Sequence, residues 1–262
     1  MSSKQLQGRV ALITGAGSGI GKAAALLLAR EGARIGALGR TEDELEGTVE
    51  EIEQAGGEAM SVLADISKPE EMQRAAEQID QRWGRLDIVF ANAGINGVWA
   101  PIEELEPDEW DRTLQINLKG TFLTIKYAVP LLKKQGGSVI VTSSVNGTRI
   151  FSNTGATAYS SSKAGQVALS KMLALELAPS KIRVNVICPG AIDTNIEDST
   201  EERDLEHVRI PVEFPDGSQP LAEGSGSAEQ VARLVLFLAS DASDHITGTE
   251  MWIDGAESLL RG

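Results

Sequence analysis

The sequence predicts a doubly wound α/β fold: a seven-stranded parallel sheet with helices on both faces, in a single domain over 1–262. Three observations carry that expectation. Seven short apolar runs alternate with segments of helical spacing, which marks repeated βα units. The runs are apolar throughout, as suits strands covered on both faces. The 262 residues are 42% hydrophobic and 24% charged, an ordinary globular composition that excludes a disordered chain and supplies one large core. Right-handed crossovers then wind the sheet in both directions.

In chain order, Val10–Thr14 is the first strand and ends at a glycine cluster. Ile20–Arg30 is helical and stops at Gly32, and Arg34–Leu38 is the second strand. Leu45, Val49 and Ile52 give Glu42–Ala55 a helical period that ends at Gly56-Gly57. Ala59–Ala64 is the third strand, and Pro69 opens a helix to Trp83 from a first-turn position. Leu86–Ala91 is the fourth strand. Pro107–Leu132 reads as one long helical stretch that breaks or ends near Pro130. Ser138–Thr142, a helix over Ala158–Leu177, a strand over Arg183–Ile187, a helix over Val231–Ala239 and a last strand over Glu250–Ile253 follow. Asn195–Ser227 is polar, carries Pro211, Pro215 and Pro220 and has no period; a loop of that length in a compact domain reads as a lid over a binding site.

Composition narrows the function. Lys and Arg total 24 against 38 Asp and Glu, a net charge of −14. Such a chain is a poor partner for a phosphate backbone or an anionic membrane surface, and 4% aromatics argues against base-stacking platforms. One cysteine, Cys188, excludes an internal disulfide, and with two histidines, His207 and His245, no metal site is expected. Cys188 reads as a small packed hydrophobe and the four tryptophans as packing. The start of the sequence has no signal-peptide pattern, so a soluble, cytoplasmic protein is the expectation.

Thr14-Gly15-Ala16-Gly17-Ser18-Gly19-Ile20-Gly21 joins the first strand to the first helix. It is not a P-loop, because Ala16 replaces the required glycine and Ala23 the Ser/Thr. Its T-G-x-x-x-G-x-G spacing also differs from G-x-G-x-x-G. The physics is shared: glycines let the backbone approach a pyrophosphate, and the helix N-terminus supplies N–H groups and a positive dipole end. Further on, Tyr159 and Lys163 stand four apart on one helix face. An ammonium beside a phenol favours the phenolate and brings its pKa toward working pH, as acid–base catalysis requires.

Thr14–Gly21, Asn92-Ala93-Gly94, Asn117, Ser144, Tyr159-Ser160-Ser161-Ser162-Lys163 and Pro189-Gly190 occur together in order and spacing. In this the chain is similar to the classical short-chain dehydrogenase/reductases, from about Gly8 to Gly255. The resemblance implies a Rossmann-type sheet and hydride transfer between a nicotinamide and a carbonyl or secondary alcohol. It implies Tyr159 as acid/base and Lys163 as its tuner and ribose ligand. Ser144 would orient the substrate oxygen, and Asn117 would complete a proton relay. Ser143 is the rival serine; Ser144-Val145-Asn146-Gly147 fits the family's S-x-x-G, with a segment to Tyr159 about two residues longer than usual.

For the cofactor, the resemblance implies Gly15, Ser18, Gly19, Ile20 and Gly21 at the pyrophosphate, Asp65 and Ile66 near the adenine, and Asn92, Ala93 and Gly94 along the ribose. Pro189, Gly190, Ile192 and Thr194 would hold the carboxamide. Gly39 stands where NAD-preferring relatives carry a carboxylate, and Arg40 could pair with a 2′-phosphate, so NADP is expected with NAD as the alternative. Ser18, Glu42, Asp43 and Glu44 oppose that choice. Thr247–Gly255 resembles the family's last strand, and the resemblance implies a homotetramer, or else a dimer. The small-molecule substrate would meet Ser144, Tyr159, Asn146, Ile150, Asn96, Val98 and the lid. The lid's acidity disfavours a strongly anionic compound but leaves carrier-linked acyl groups, and so 3-oxoacyl reduction, open. A non-catalytic nicotinamide sensor is the other class; such proteins usually lack the Ser, Tyr or Lys.

Overall fold

In the computed structural model the described residues are 4–212, 220–221 and 224–261. Chain order gives β1 Val10–Thr14, α1 Gly19–Arg30, β2 Arg34–Gly39, α2 Glu42–Gln54, β3 Glu58–Leu63, α3 Pro69–Trp83 and β4 Ile88–Ala91. Then come β5 Gly97–Trp99, α4 Pro107–Leu114, α5 Gly120–Leu132, β6 Gly137–Thr142, α6 Thr157–Leu177, β7 Ile182–Pro189, β8 Ile192–Asp193, β9 Thr200–Glu202 and β10 Gly226–Ser227. The chain closes with α7 Ala228–Ala239, β11 Glu250–Ile253 and α8 Glu257–Arg261.

Seven strands form one parallel sheet in the order β11-β7-β6-β4-β1-β2-β3. The chain winds outward from β1 through β2 to β3, then returns to the other side of β1 with β4. The switch point therefore lies between β1 and β4, and their carboxyl ends open a crevice there.

Period-two alternation builds two cores, one per face. Ala11 and Ile13 of β1, Phe90 of β4 and Ile140 of β6 join Leu28, Val235 and Leu238 on one face. Val10 and Leu12, Val89, and Val139 and Val141 join Met72, Ile79, Leu123 and Val184 on the other. Each such side chain contributes roughly 1.5–3 kcal/mol by leaving water. Helix ends follow local chemistry: Pro69 opens α3, Gly84 closes it at φ 68°, and Ser227 and Gln230 cap the start of α7 reciprocally.

Two regions differ from expectation. The Pro107–Leu132 stretch does end two residues beyond Pro130, but its irregularity is a π-turn at Gln115–Lys119. Asn195–Ser227 is not one unstructured loop. Short 3₁₀ turns span Asn195–Ser199 and Leu205–His207; β9 pairs in parallel with β5, and β10 with β8. Residues 213–219 and 222–223 of that stretch, Pro215 included, lie outside the described residues. No helix of the described residues is long and apolar enough to cross a membrane.

Candidate active site

A cavity of about 660 Å³ opens at the switch point. Its inner wall is the glycine turn. Thr14, at the end of β1, accepts the N–H groups of Asn92 and Ala93 on its hydroxyl at 2.9 and 3.0 Å, and its carbonyl accepts the Asn92 amide at 3.2 Å. The two strand ends are thereby pinned together. A Cβ on Gly21 would run into the Gly15 carbonyl oxygen and stand 2.9 Å from Asn92 Nδ2. Only glycine lets α1 begin this close to the turn before it. Gly19, at φ +51°, passes within 3.3 Å of Thr194 by the same measure. The glycine, Asn92 and Thr194 motifs thus converge across 180 residues of sequence with the backbone donors a pyrophosphate needs.

Ser144, Tyr159 and Lys163 share one wall, and all three are buried. Ser144 Oγ accepts the Asn146 N–H at 3.1 Å and sits beside the Tyr159 hydroxyl, where it favours the phenolate. Ser143 is engaged elsewhere, donating to the Lys163 carbonyl at 2.8 Å. Lys163 Nζ donates to the Thr142 carbonyl at 2.9 Å and lies 5.5 Å from the Tyr159 ring centre. A Cβ on Gly94 would sit 3.6 Å from it, so the turn after β4 reaches the lysine. Burial lowers the Lys163 pKa to about 8. The sequence predicts that Lys163 draws the Tyr159 pKa down. In the structure burial holds the Tyr159 hydroxyl above its ordinary value despite Ser144, because desolvation disfavours the phenolate more than Ser144 favours it.

Asn117 does not line the cavity. From the π-turn its side chain accepts the Ile95 N–H at 2.9 Å and donates to the Ile95 carbonyl at 2.9 Å and to Ser162 Oγ at 3.0 Å. Its carbonyl accepts from Thr121 at 2.7 Å and Gln166 at 2.9 Å. With those partners made, its side chain clamps α6 to the β4 loop.

The structure brings the residues expected around the cofactor together in one cavity. Gly15, Ser18, Gly19, Ile20, Arg40, Asp65, Ile66, Asn92, Ala93, Gly94, Pro189, Gly190, Ile192 and Thr194 all line the cavity, with Gly21 directly behind it. Asp65 is both wall and turn residue, accepting the Ser67 N–H at 2.9 Å. Against its burial, hydrogen bonds from Ser67 and the charges of Arg40 and Lys68 hold its carboxyl below the usual range. Glu44 lines the same corner, and a Cβ on Gly17 would touch it at 2.8 Å. Cys188 is buried and its thiol is pushed up to about 12, so it is no nucleophile.

At the substrate end Ser144, Tyr159, Asn146, Ile150 and Asn96 line the cavity as expected, but Val98 does not. On a strand successive side chains alternate, so Trp99 faces in where Val98 faces away. Trp99 was expected to be packing; its ring stands 6.4 Å from that of Tyr159. No sequence signal marks it, because β5 exists only through its pairing with β9. Asn96 is held by that pairing: its N–H donates to Ser199 Oγ at 3.0 Å and its amide to Thr200 Oγ1 at 2.7 Å.

Comparison with known proteins agrees with this arrangement. A family model described as enoyl-(acyl carrier protein) reductase matches residues 15–256. The 3-oxoacyl-(acyl-carrier-protein) reductase of Thermotoga maritima is 37% identical over 254 residues, covering 96% of this chain and 98% of that protein. Levodione reductase of Leifsonia aquatica is 35% identical, covering 95% and 94%. Among solved structures, a 3-ketoacyl-ACP reductase from Sinorhizobium meliloti 1021 superposes with a TM-score of 0.93 at 54% identity, covering 96% of this chain and all of that one. Carveol dehydrogenase from Mycobacterium avium, in complex with NAD, gives 0.86 at 28% identity, covering 98% and 99%.

Proposed function

From the premise that this chain belongs to the short-chain dehydrogenase/reductase family, and so interconverts a carbonyl and an alcohol with NAD(P), we propose how its residues divide the work. Tyr159 gives a proton to the carbonyl oxygen in reduction and takes it back in oxidation. Ser144 hydrogen-bonds the same oxygen and so fixes it against Tyr159. Lys163 supplies positive charge beside the phenol and a donor toward the ribose. Asn117 is a positioning residue that holds Ile95 and Ser162. The glycine turn, Asn92–Gly94 and Pro189–Thr194 hold the dinucleotide; when bound, its nicotinamide supplies or accepts the hydride. The observation that carries this reading is the shared wall: Ser144 beside Tyr159, with Lys163 5.5 Å from the Tyr159 ring centre, facing the glycine turn across one cavity. Tyr159→Phe tests it. Turnover should fall about 10²–10⁴-fold with NAD(P)H affinity kept, whereas a nicotinamide sensor would retain its function in that variant.

We infer NADP as the preferred cofactor. Arg40 is exposed at the cavity corner beside Asp65, and Gly39 offers no carboxylate to repel a 2′-phosphate. Glu44 works against it from the same corner. Fluorescence titration should show tighter NADPH than NADH binding, with the difference lost in Arg40→Ala and widened in Glu44→Gln. Tighter NADH binding would make Arg40 a surface charge. We also infer a homo-oligomer: Phe122, Met172 and Leu175 on α5 and α6 are exposed apolar side chains beside a groove lined by Leu114, Leu118 and Leu169. Light scattering after size exclusion should give a tetramer or dimer mass. The Asn195–Ser227 segment acts as a substrate lid in this reading, since Asn195, Ile196, Glu197 and Ser199 line the cavity.

A further inference from the structure

The substrate half of the cavity is bounded by a strap, Asn195–His207, tied down on both sides. β9 pairs with β5, and the Arg203 N–H donates to the Trp99 carbonyl at 2.9 Å. The Arg203 guanidinium reaches α4 and its approach, donating to Glu109 at 2.5 Å and to the Glu104 carbonyl at 2.9 Å. On the other side Leu205 fills the space where a Cβ on Gly155 would sit, against the loop leading to Tyr159.

Beneath the strap the walls suit a flat, apolar body. Trp99 stands beside Tyr159 with its ring plane at 41° to it, and Ile150 and Val145 close the floor. Asn153 donates to the Asn146 side-chain oxygen at 2.9 Å, and both residues line the cavity. Charge forms the outer boundary. The strap carries Glu197, Asp198, Glu201, Glu202, Asp204 and Glu206 against Arg203, with Arg209 just beyond it. Arg203 is bound to Glu109 and Glu201. Among the described residues lining the cavity the only Lys or Arg are Lys163, beside Tyr159, and Arg40, at the far corner.

We propose, resting on the assignment of Ser144 and Tyr159 above, that the substrate is a neutral carbonyl compound with a ring-sized apolar body seated on Trp99 beneath the strap. A thioester on a phosphorylated carrier arm is disfavoured, since its phosphates would leave the cavity past the strap's carboxylates, and among the described residues the cavity lining offers no Lys or Arg beyond Lys163 and Arg40. Reduction adds a hydride to the carbonyl carbon and the Tyr159 proton to its oxygen. The C=O π bond is replaced by C–H and O–H, with the reduced nicotinamide of the family's activity as reductant and solvent replacing the proton.

The test compares three carbonyl probes in the full-length protein: a six-membered cyclic diketone, the neutral acetoacetyl thioester of N-acetylcysteamine, and acetoacetyl-coenzyme A. The cyclic diketone should give the highest kcat/KM, by about tenfold or more. Acetoacetyl-coenzyme A should be the poorest and improve in Glu197→Gln. Trp99→Ala should lower kcat/KM for the ring about tenfold while changing the acyclic thioester less than twofold, and Trp99→Phe should restore most of the loss. Unchanged NADPH titration shows that a variant is folded. Preference for acetoacetyl-coenzyme A, or an equal Trp99→Ala effect on ring and chain, overturns the proposal. Activity persisting in Tyr159→Phe overturns instead the catalytic reading beneath it.

Discussion

The half of the cavity assigned to the dinucleotide is walled by the ends of fully buried inner strands of the sheet, whereas the substrate half is walled by two three-residue strands and an acidic strap. In the first half, β1 and β4 are inner strands of the sheet, covered on both faces, and Thr14 ties their ends together. In the second, the holding contacts are single hydrogen bonds and half-exposed ion pairs such as Arg203–Glu109. A rigid half can fix the reacting atoms while a loosely held half changes its ligand. Damage to the first half should therefore abolish every reaction, and damage to the second should change which compound is accepted.

The largest expected effect is Gly21→Ala. In an ordinary helix this exchange is favourable, but here the new methyl meets the Gly15 carbonyl, backbone against backbone, so it can be relieved only by moving the turn. Overpacking of this kind costs about 1–3 kcal/mol. The thermal midpoint should drop, and NADPH and NADH binding should both fall below detection. Retained binding of either would show that the turn does not grip the pyrophosphate.

A middling effect is expected from pH. Burial lowers the Lys163 pKa to about 8, so its ammonium is present below that pH and lost above it. Reduction should therefore decline as pH rises through 8, with any substrate, because the lysine serves the shared chemistry. Lys163→Arg stays charged and should lose that descending limb even if its maximal rate is low. Stability runs the other way. The unfolded lysine binds its proton up to its ordinary value near 10.5, so between about 8 and that value the unfolded chain holds more protons and this residue's contribution to stability rises with pH. A flat rate profile between pH 7 and 9 would remove Lys163 from the chemistry.

The same division explains what was legible in the sequence. Apolar runs and glycine spacing are local signals, so the seven sheet strands along the chain, the glycine turn and the Tyr159–Lys163 face could be read directly. Ser144 was preferred to Ser143 on the S-x-x-G match, and the hydrogen bond from Ser143 to the Lys163 carbonyl, which only packing could reveal, gives the physical reason. Trp99 and Arg203 were not legible at all. Their placement depends on pairing between β5 and β9, about 100 residues apart and three residues long, and no periodicity survives in so short a strand. The Asn117 clamp was half legible: the asparagine stands out, but its commitment to Ile95, Ser162, Thr121 and Gln166 is set by the packing of two helices.

The smallest effect is the most discriminating. Arg203→Ala removes the guanidinium that joins the strap to Glu109 and the Glu104 carbonyl, and leaves the β5–β9 backbone pairing in place. Glu109 keeps its hydrogen bond from the Glu106 N–H, so α4 should still begin where it does. Because the ion pair is half-exposed, its loss should be modest: KM for the carbonyl substrate up about two- to fivefold, with kcat within twofold and NADPH affinity unchanged. Arg203→Lys retains the charge without the fork and should fall between. A kcat loss matching the KM change would mean that the strap also orders Tyr159 through Leu205 and the loop before α6, and the two halves would then be one mechanical unit. Unchanged KM would mean that the backbone pairing and the Asn96–Thr200 bond alone hold the strap, which would move the discriminating contact inward to Asn96.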